Sequence, residues 1–308
     1  MSAQELESLV TMLRTGGPDL AAPPPEARKN FEAMFAAFPI AEDVVFETAT
    51  LSSIPARWAT APGVPKDRVL LYLHGGGYLL GSSLAYRSLY SGLARAAGAR
   101  GLALDYRLAP ENPFPAAVDD AVAGYRALLG QGIAPGSIAI AGDSAGGGLT
   151  VAMLVAARDA GLPMPAAAVA ISPWADMECT GASMATKAAA DPSLNQQGLI
   201  AMGAAYLNGA SPRNALASPI FANLAGLPPL LIQVGSAEVL LDDATRLAAK
   251  AGEADVEVQL EIWPRMPHVW HGFAFMLSEG RDAIERAGAF VAAQFQKQQA
   301  EKHREISA

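Results

Sequence analysis

Apolar positions follow two alternating rhythms along the chain. Short runs rich in aliphatic and β-branched residues read as strands: VVFETATL (44–51), RVLLYLH (68–74), ARGLALDY (99–106), SIAIAGD (137–143), AAAVAIS (166–172), PLLIQVG (229–235) and VEVQLEIW (256–263). Between several of them lie longer amphipathic stretches that read as helices, LAYRSLYSGLARAAG (84–98), AAVDDAVAGYRALLG (116–130) and ATRLAAKAGE (244–253). This alternation predicts an α/β domain with a mostly parallel sheet covered on both faces. The first run alternates polar and apolar positions, and with the nearby ARWATA (56–61) it predicts an antiparallel edge. GRDAIERAGAFVAAQFQKQQAEK (280–302) predicts a closing helix that frays into a charged tail.

Two stretches break the rhythm. Residues 1–40, with three prolines at 23–25, and residues 180–216 have little strand character, and both are expected to form a cap over the sheet. Residues 41–179 and 217–308 would then carry the sheet and the chemistry. No fixed-period repeat, low-complexity tract or long polar linker divides the 308 residues, so a single core is expected.

Composition narrows the partners. Charged residues are 17% of the chain, below the roughly 25% of average globular proteins, and apolar residues are 51%, which favours a large interior. A net charge of −8 opposes attraction to nucleic acid or anionic lipid, leaving a neutral or weakly polar small molecule as the easier partner. The one cysteine, Cys179, excludes an intramolecular disulfide, and no Cys/His set has the spacing of a structural zinc site. MSAQELESLVTMLRTGG (1–17) carries acids where an export signal needs an apolar core, and no apolar span approaches 18 residues, so a soluble cytoplasmic protein is expected. The sequence leaves oligomeric state open, a homodimer included.

Candidate chemistry centres on GDSAGGG (142–148), which follows the apolar SIAIA and precedes a helix-like GGGLTVAMLVAARDAG. It fits G-x-S-x-G, in which a serine sits on a strained strand-to-helix turn and is exposed above the sheet. Gly142 and Gly146 suit a turn that bulkier side chains would crowd. A glycine turn at a helix N-terminus can also bind phosphate, but the Walker A pattern is missing. Seventy residues upstream, His74-Gly75-Gly76-Gly77 follows a strong strand, and glycine loops of this type donate backbone N–H groups to an oxyanion in lipases and esterases. One such donor contributes on the order of 3 kcal/mol to the transition state. Gly76 and Gly77, with Ala145 after the serine, are the expected donors. His74, at the strand end, is expected to brace the loop.

A serine nucleophile needs a base of near-neutral pKa. The candidates are His268 and His271 in PHVWHGF, since His303 lies in the charged tail. His268 is preferred, because Pro267 sets its approach and His271 is expected to begin the next helix. The chain order Ser, acid, His puts the acid in PLLIQVGSAEVLLDD, where Glu238 comes first after the strand and Asp242 is the reserve; Asp242 and Asp243 can serve as caps of the following helix.

HGGGY, DYRLAPENPFPAA, GDSAGGG and MPHVWHGF together resemble the hormone-sensitive-lipase-like family of bacterial carboxylesterases, over about residues 68–275. The resemblance implies an α/β-hydrolase fold, with a central sheet of about eight strands flanked by helices and covered by a helical cap. It implies Ser144 as nucleophile, His268 as base, an oxyanion hole of Gly76, Gly77 and Ala145, no metal or cofactor, and short- to medium-chain esters as substrates. The acid in that family is usually the first aspartate of D-x-L-x-D, and here Glu238 stands in its place, one methylene longer. Within DYRLAPENPFPAA, Arg107 and Glu111 are expected to pair and the prolines to stiffen the turn. Asp143 is expected to hold neighbouring backbone. Met34, Phe35, Met202 and Tyr206 are candidates for lining an acyl pocket, although apolar residues at helical spacing are more often ordinary packing. A ligand-binding receptor on the same fold would have no need of a positioned imidazole, whereas an amidase or acyltransferase would share every residue named.

Overall fold

A computed structural model describes residues 3–16 and 23–306. Eight strands form one sheet: β1 (Val45–Leu51), β2 (Ile54–Thr60), β3 (Val69–Leu73), β4 (Arg100–Leu104), β5 (Ile138–Asp143), β6 (Ala167–Ile171), β7 (Leu230–Gly235) and β8 (Val258–Trp263). Their spatial order is β1-β2-β4-β3-β5-β6-β7-β8. β1 and β2 pair antiparallel, as do β2 and β4, and every later pairing is parallel. The predicted antiparallel edge is therefore present.

The central strands read as unbroken apolar runs because both of their faces are buried. Side chains alternate between the two sides. Leu71, Leu73, Ile140 and Ile232 pack under α4 (Ala116–Gly130), α5 (Ala145–Asp159) and α8 (Leu241–Glu253). Leu70, Tyr72, Ala139 and Leu231 face α3 (Arg87–Ala96) and α9 (Ser278–Ile306). The strands at the two ends, β1 and β8, keep exposed positions, as edges do.

Of the two stretches outside this rhythm, residues 1–2 and 17–22 lie outside the described residues, and the regular elements in the rest are helices. The first holds α1 (Ala3–Gly16) and α2 (Pro24–Ala36), and the second α6 (Ser183–Thr186) and α7 (Gln196–Leu207). α7 starts where the Asn195 side chain accepts the Gly198 amide at 2.8 Å, and it stops where Asn208 turns left-handed at φ 45°. The closing helix runs to Ile306 through the charged segment, where His303 bonds the Gln299 carbonyl one turn back at 2.7 Å. Among the described residues, no helix is long and apolar enough to cross a membrane.

Candidate active site

β5 ends at the carboxyl edge of the sheet, and within one residue the chain enters α5. Ser144 occupies that turn at φ 54° and ψ −121°, a conformation that non-glycine residues adopt only under constraint. The constraint is visible. Its amide donates to the Ile171 carbonyl at 2.8 Å, and its own carbonyl accepts the Gly148 and Trp174 amides at 3.1 and 2.9 Å. A Cβ on Gly142 would lie 2.2 Å from the Gly146 carbonyl oxygen, and one on Gly146 would lie 1.9 Å from that of Leu73. Helix and strand pass too closely here for any side chain.

The loop after β8 brings His268 Nε2 to 2.8 Å from Ser144 Oγ, and His268 Nδ1 to 2.8 Å from Glu238 Oε2. A carboxylate can only accept, so Nδ1 carries the proton and Nε2 is free to receive one from the serine. The Glu238 side chain is fully buried, and its other oxygen accepts the Gly235 amide at 2.6 Å and the Ser172 hydroxyl at 2.7 Å. Burial pulls the His268 pKa down, but the hydrogen bond to Glu238 and the charges of Glu238, Asp191 and Asp143 outweigh it, so the pKa lies above the ordinary imidazole value.

The rival residues go elsewhere. His271 is buried with Nε2 at 2.9 Å from Gln233 Oε1, and burial, followed by the charge of His268, pushes its pKa down to about 3. It lies within a single 3-10 turn, Trp270–Phe273, and does not start the next α-helix. The Asp242 carboxylate takes the Ser183 amide at 3.0 Å, and that of Asp243 takes the amides of Ala175 and Asp176, each at 2.9 Å. The capping of α8 expected of them is not what these carboxylates do. They anchor distant loops whose amides would otherwise be buried without partners.

His74 braces its loop as expected: Nδ1 lies 2.8 Å from the Gly75 carbonyl and the ring stacks on Tyr106 at 4.3 Å, while burial holds its pKa below the ordinary value. Gly76 and Gly77 follow with φ of 106° and 63°, and both border the cavity that Ser144 and His268 face. Ala145 is the first residue of α5, so its amide has no intrahelical acceptor. Asp143 ties this loop to the serine turn, with Oδ1 accepting the Gly75 amide at 2.9 Å and the Tyr72 hydroxyl at 2.6 Å. Burial raises its pKa to about 6 despite those bonds.

The cavity has a volume of about 220 Å³ and is mostly apolar. Phe31 and Phe35 from α2, Leu199 and Met202 from α7, and Phe273 line it. Of the four candidates for this lining, Phe35 and Met202 are present. Met34 is 37% exposed, and Tyr206 is buried in a stack on Tyr78 at 3.8 Å, so neither contributes.

The expected Arg107–Glu111 pair does not form. Arg107 binds Asp120 at 2.7 Å, and Glu111 binds Arg28 at 2.6 Å. Asp120 is the buried carboxylate of the two, with the greater need of a cation. Arg28, unremarked in the sequence, also donates to the carbonyls of Leu79 at 2.8 Å and Ala109 at 2.7 Å, fixing α2 to the glycine loop. Asp191 and Ser172 were likewise not legible. Asp191 accepts the amides of Ser193, Leu194 and Val239, each at 2.9 Å. The available signals, an Asp-Pro-Ser turn and a serine at a strand's carboxyl end, look like ordinary loop chemistry.

Comparison with known proteins follows the same lines. A family profile described as alpha/beta hydrolase fold matches residues 70–272. An acetyl-hydrolase of Streptomyces hygroscopicus is 56% identical over 245 residues, covering 80% of this chain and 82% of that protein. The crystal structure of an esterase/lipase from an uncultured bacterium superimposes with a TM-score of 0.91 at 51% identity, covering 96% of this chain and all of that one. An esterase from the bacterial hormone-sensitive lipase family gives a TM-score of 0.92 at 49% identity over 96% of this chain and 99% of its own.

Proposed function

The chain belongs to the alpha/beta hydrolase fold family, and on that premise we propose that it is a serine carboxylesterase acting on short- to medium-chain esters. The observation that carries the reading is the unbroken line from the Glu238 carboxylate through the His268 ring to the Ser144 hydroxyl, at 2.8 Å for each contact, opening onto an apolar cavity.

In this reading Ser144 Oγ attacks the ester carbonyl while His268 Nε2 takes its proton, and Glu238 stabilises the resulting imidazolium. The amides of Gly76, Gly77 and Ala145 hold the oxyanion. Collapse of the tetrahedral intermediate breaks the carbonyl carbon–alkoxy bond, and His268 returns the proton to the departing alcohol. Water, deprotonated by His268, then attacks the acyl-enzyme and releases the acid, restoring the Ser144 hydroxyl. No step calls for a metal or an organic cofactor.

The segments 1–40 and 180–216 act as the cap, a role supported by the side chains that α2 and α7 turn toward the cavity. A volume of about 220 Å³ suits a short acyl group better than a long one. The cytoplasmic location belongs to the proposal, supported by a lone, buried free thiol at Cys179 that calls for no oxidising compartment. The test is hydrolysis of a p-nitrophenyl ester series from acetate to decanoate. Wild-type protein should turn over the short members fastest, and Ser144→Ala should lose about 10⁴-fold or more in kcat. Wild-type rates in the alanine variant would overturn the reading.

A further inference from the structure

The turn that leaves β6, Ser172-Pro173-Trp174, bonds to Ser144, to Glu238 and to the residue after His268. Ile171 and Trp174 bracket the nucleophile, one accepting its amide at 2.8 Å and the other donating to its carbonyl at 2.9 Å. Ser172 addresses Glu238 and the backbone next to His268. Its Oγ lies 2.7 Å from Glu238 Oε1 and 3.2 Å from the amide of Val269, the residue after His268. A carboxylate can only accept and an amide N–H can only donate, so the hydroxyl proton must point at Glu238 and a lone pair at Val269. One buried hydroxyl thus links the acid's loop to the base's loop.

Both partners need holding. Glu238 has one more rotatable bond than the aspartate usual at its position, and its Oε2 must still meet the imidazole. Val269 is a β-branched residue at φ 49°, a strained conformation that persists only when the surroundings fix it. Ser172 is itself held at φ 45°, fully buried, with its amide on the Gln233 carbonyl at 2.7 Å. Here a left-handed backbone aims a side chain between two loops, at a position that suits glycine if conformation alone mattered.

We propose that Ser172 is a positioning residue for the reaction, aiming the Glu238 carboxylate at His268 and fixing the backbone that carries the imidazole. This rests on the esterase reading above. The hydroxyl supplies one of the two donors on Oε1, so without it the carboxylate rotates away from its alignment with Nδ1, and the Val269 amide loses its acceptor.

The experiment compares Ser172→Gly and Ser172→Ala with wild type, alone and combined with Glu238→Gln, on p-nitrophenyl butyrate across pH. Glycine relieves the left-handed backbone and alanine does not, but both remove the hydroxyl. The expected result is that each lowers kcat by about 10- to 100-fold with KM little changed, moves the acid limb of the pH profile to lower pH, and adds no further loss when Glu238 is already glutamine. A packing role alone would lower the melting temperature and leave the limb where it stands. Wild-type kcat in the glycine variant, an unmoved limb, or a full additional loss in the Glu238→Gln background would each overturn the proposal. Full activity in Glu238→Gln by itself would remove Glu238 from the reaction and with it the positioning role of Ser172, while leaving the esterase reading to the Ser144→Ala test.

Discussion

Glu238 meets His268 at 2.8 Å with its carboxylate fully buried, although the side chain is a methylene longer than the aspartate that the family pattern leads one to expect. Its far oxygen accepts from the Gly235 amide and the Ser172 hydroxyl. The expected consequence is a large difference between neighbouring acids. Glu238→Gln should lower kcat on p-nitrophenyl butyrate by about 10³- to 10⁴-fold, because an amide neither fixes the imidazole tautomer nor stabilises its cation. Asp242→Asn should leave kcat within about twofold of wild type, since its carboxylate serves the Ser183 amide at 3.0 Å.

The pH profile follows from the state of His268. In the proposed mechanism it accepts the serine proton only when neutral, and its pKa is raised above the ordinary 6.5 because Glu238 favours the cation more than burial disfavours it. The acid limb of kcat/KM, which reports the free enzyme, should therefore fall with decreasing pH about a midpoint above 6.5. In Glu238→Gln that midpoint should move to lower pH. His271, with its pKa near 3, should add no second inflection above pH 5.

Asp243 predicts a pH dependence of stability. Burial raises its pKa from 3.8 to about 8, opposed by the amides of Ala175 and Asp176. A folded pKa above the unfolded one stabilises the fold fully at low pH, and that stabilisation is lost as pH rises through the folded value. The unfolding free energy of Asp243→Asn relative to wild type, read by denaturant titration, should therefore rise with pH between about 4 and 8 and level off above, the limiting slope being about 1.4 kcal/mol per pH unit. A difference independent of pH would show that Asp243 titrates in the folded protein as it does in the unfolded chain.

Arg28 tests the link between α2 and the glycine loop. Arg28→Ala would strip the carbonyls of Leu79 and Ala109 of a charged donor and free the loop that begins at Gly76. We expect a loss of kcat of about 10-fold or more, together with a lower melting temperature. Glu111→Ala removes only the exposed end of the same pair and should cost less than about 1 kcal/mol. Equal effects from the two would show that the ion pair, and not the carbonyl contacts, is what matters.

What could be read from the chain alone was whatever contiguous residues encode. The period-two and helical rhythms gave the layered sheet, the strand-to-helix glycines around Ser144 gave the turn, and the glycines after β3 gave the loop beside it. These are local demands of backbone and burial, so neighbouring residues suffice to express them. Order along the chain already favoured His268 and Glu238 over their rivals, but their meeting with Ser144, the partner of Arg107 and the task of Ser172 were decided only by the fold. Glu238 and Ser144 lie 30 and 124 residues from His268 in the chain. Whether a given carboxylate or hydroxyl reaches an imidazole depends on where separate strands end and how their loops converge. That convergence is a property of the assembled sheet, and no segment carries it alone.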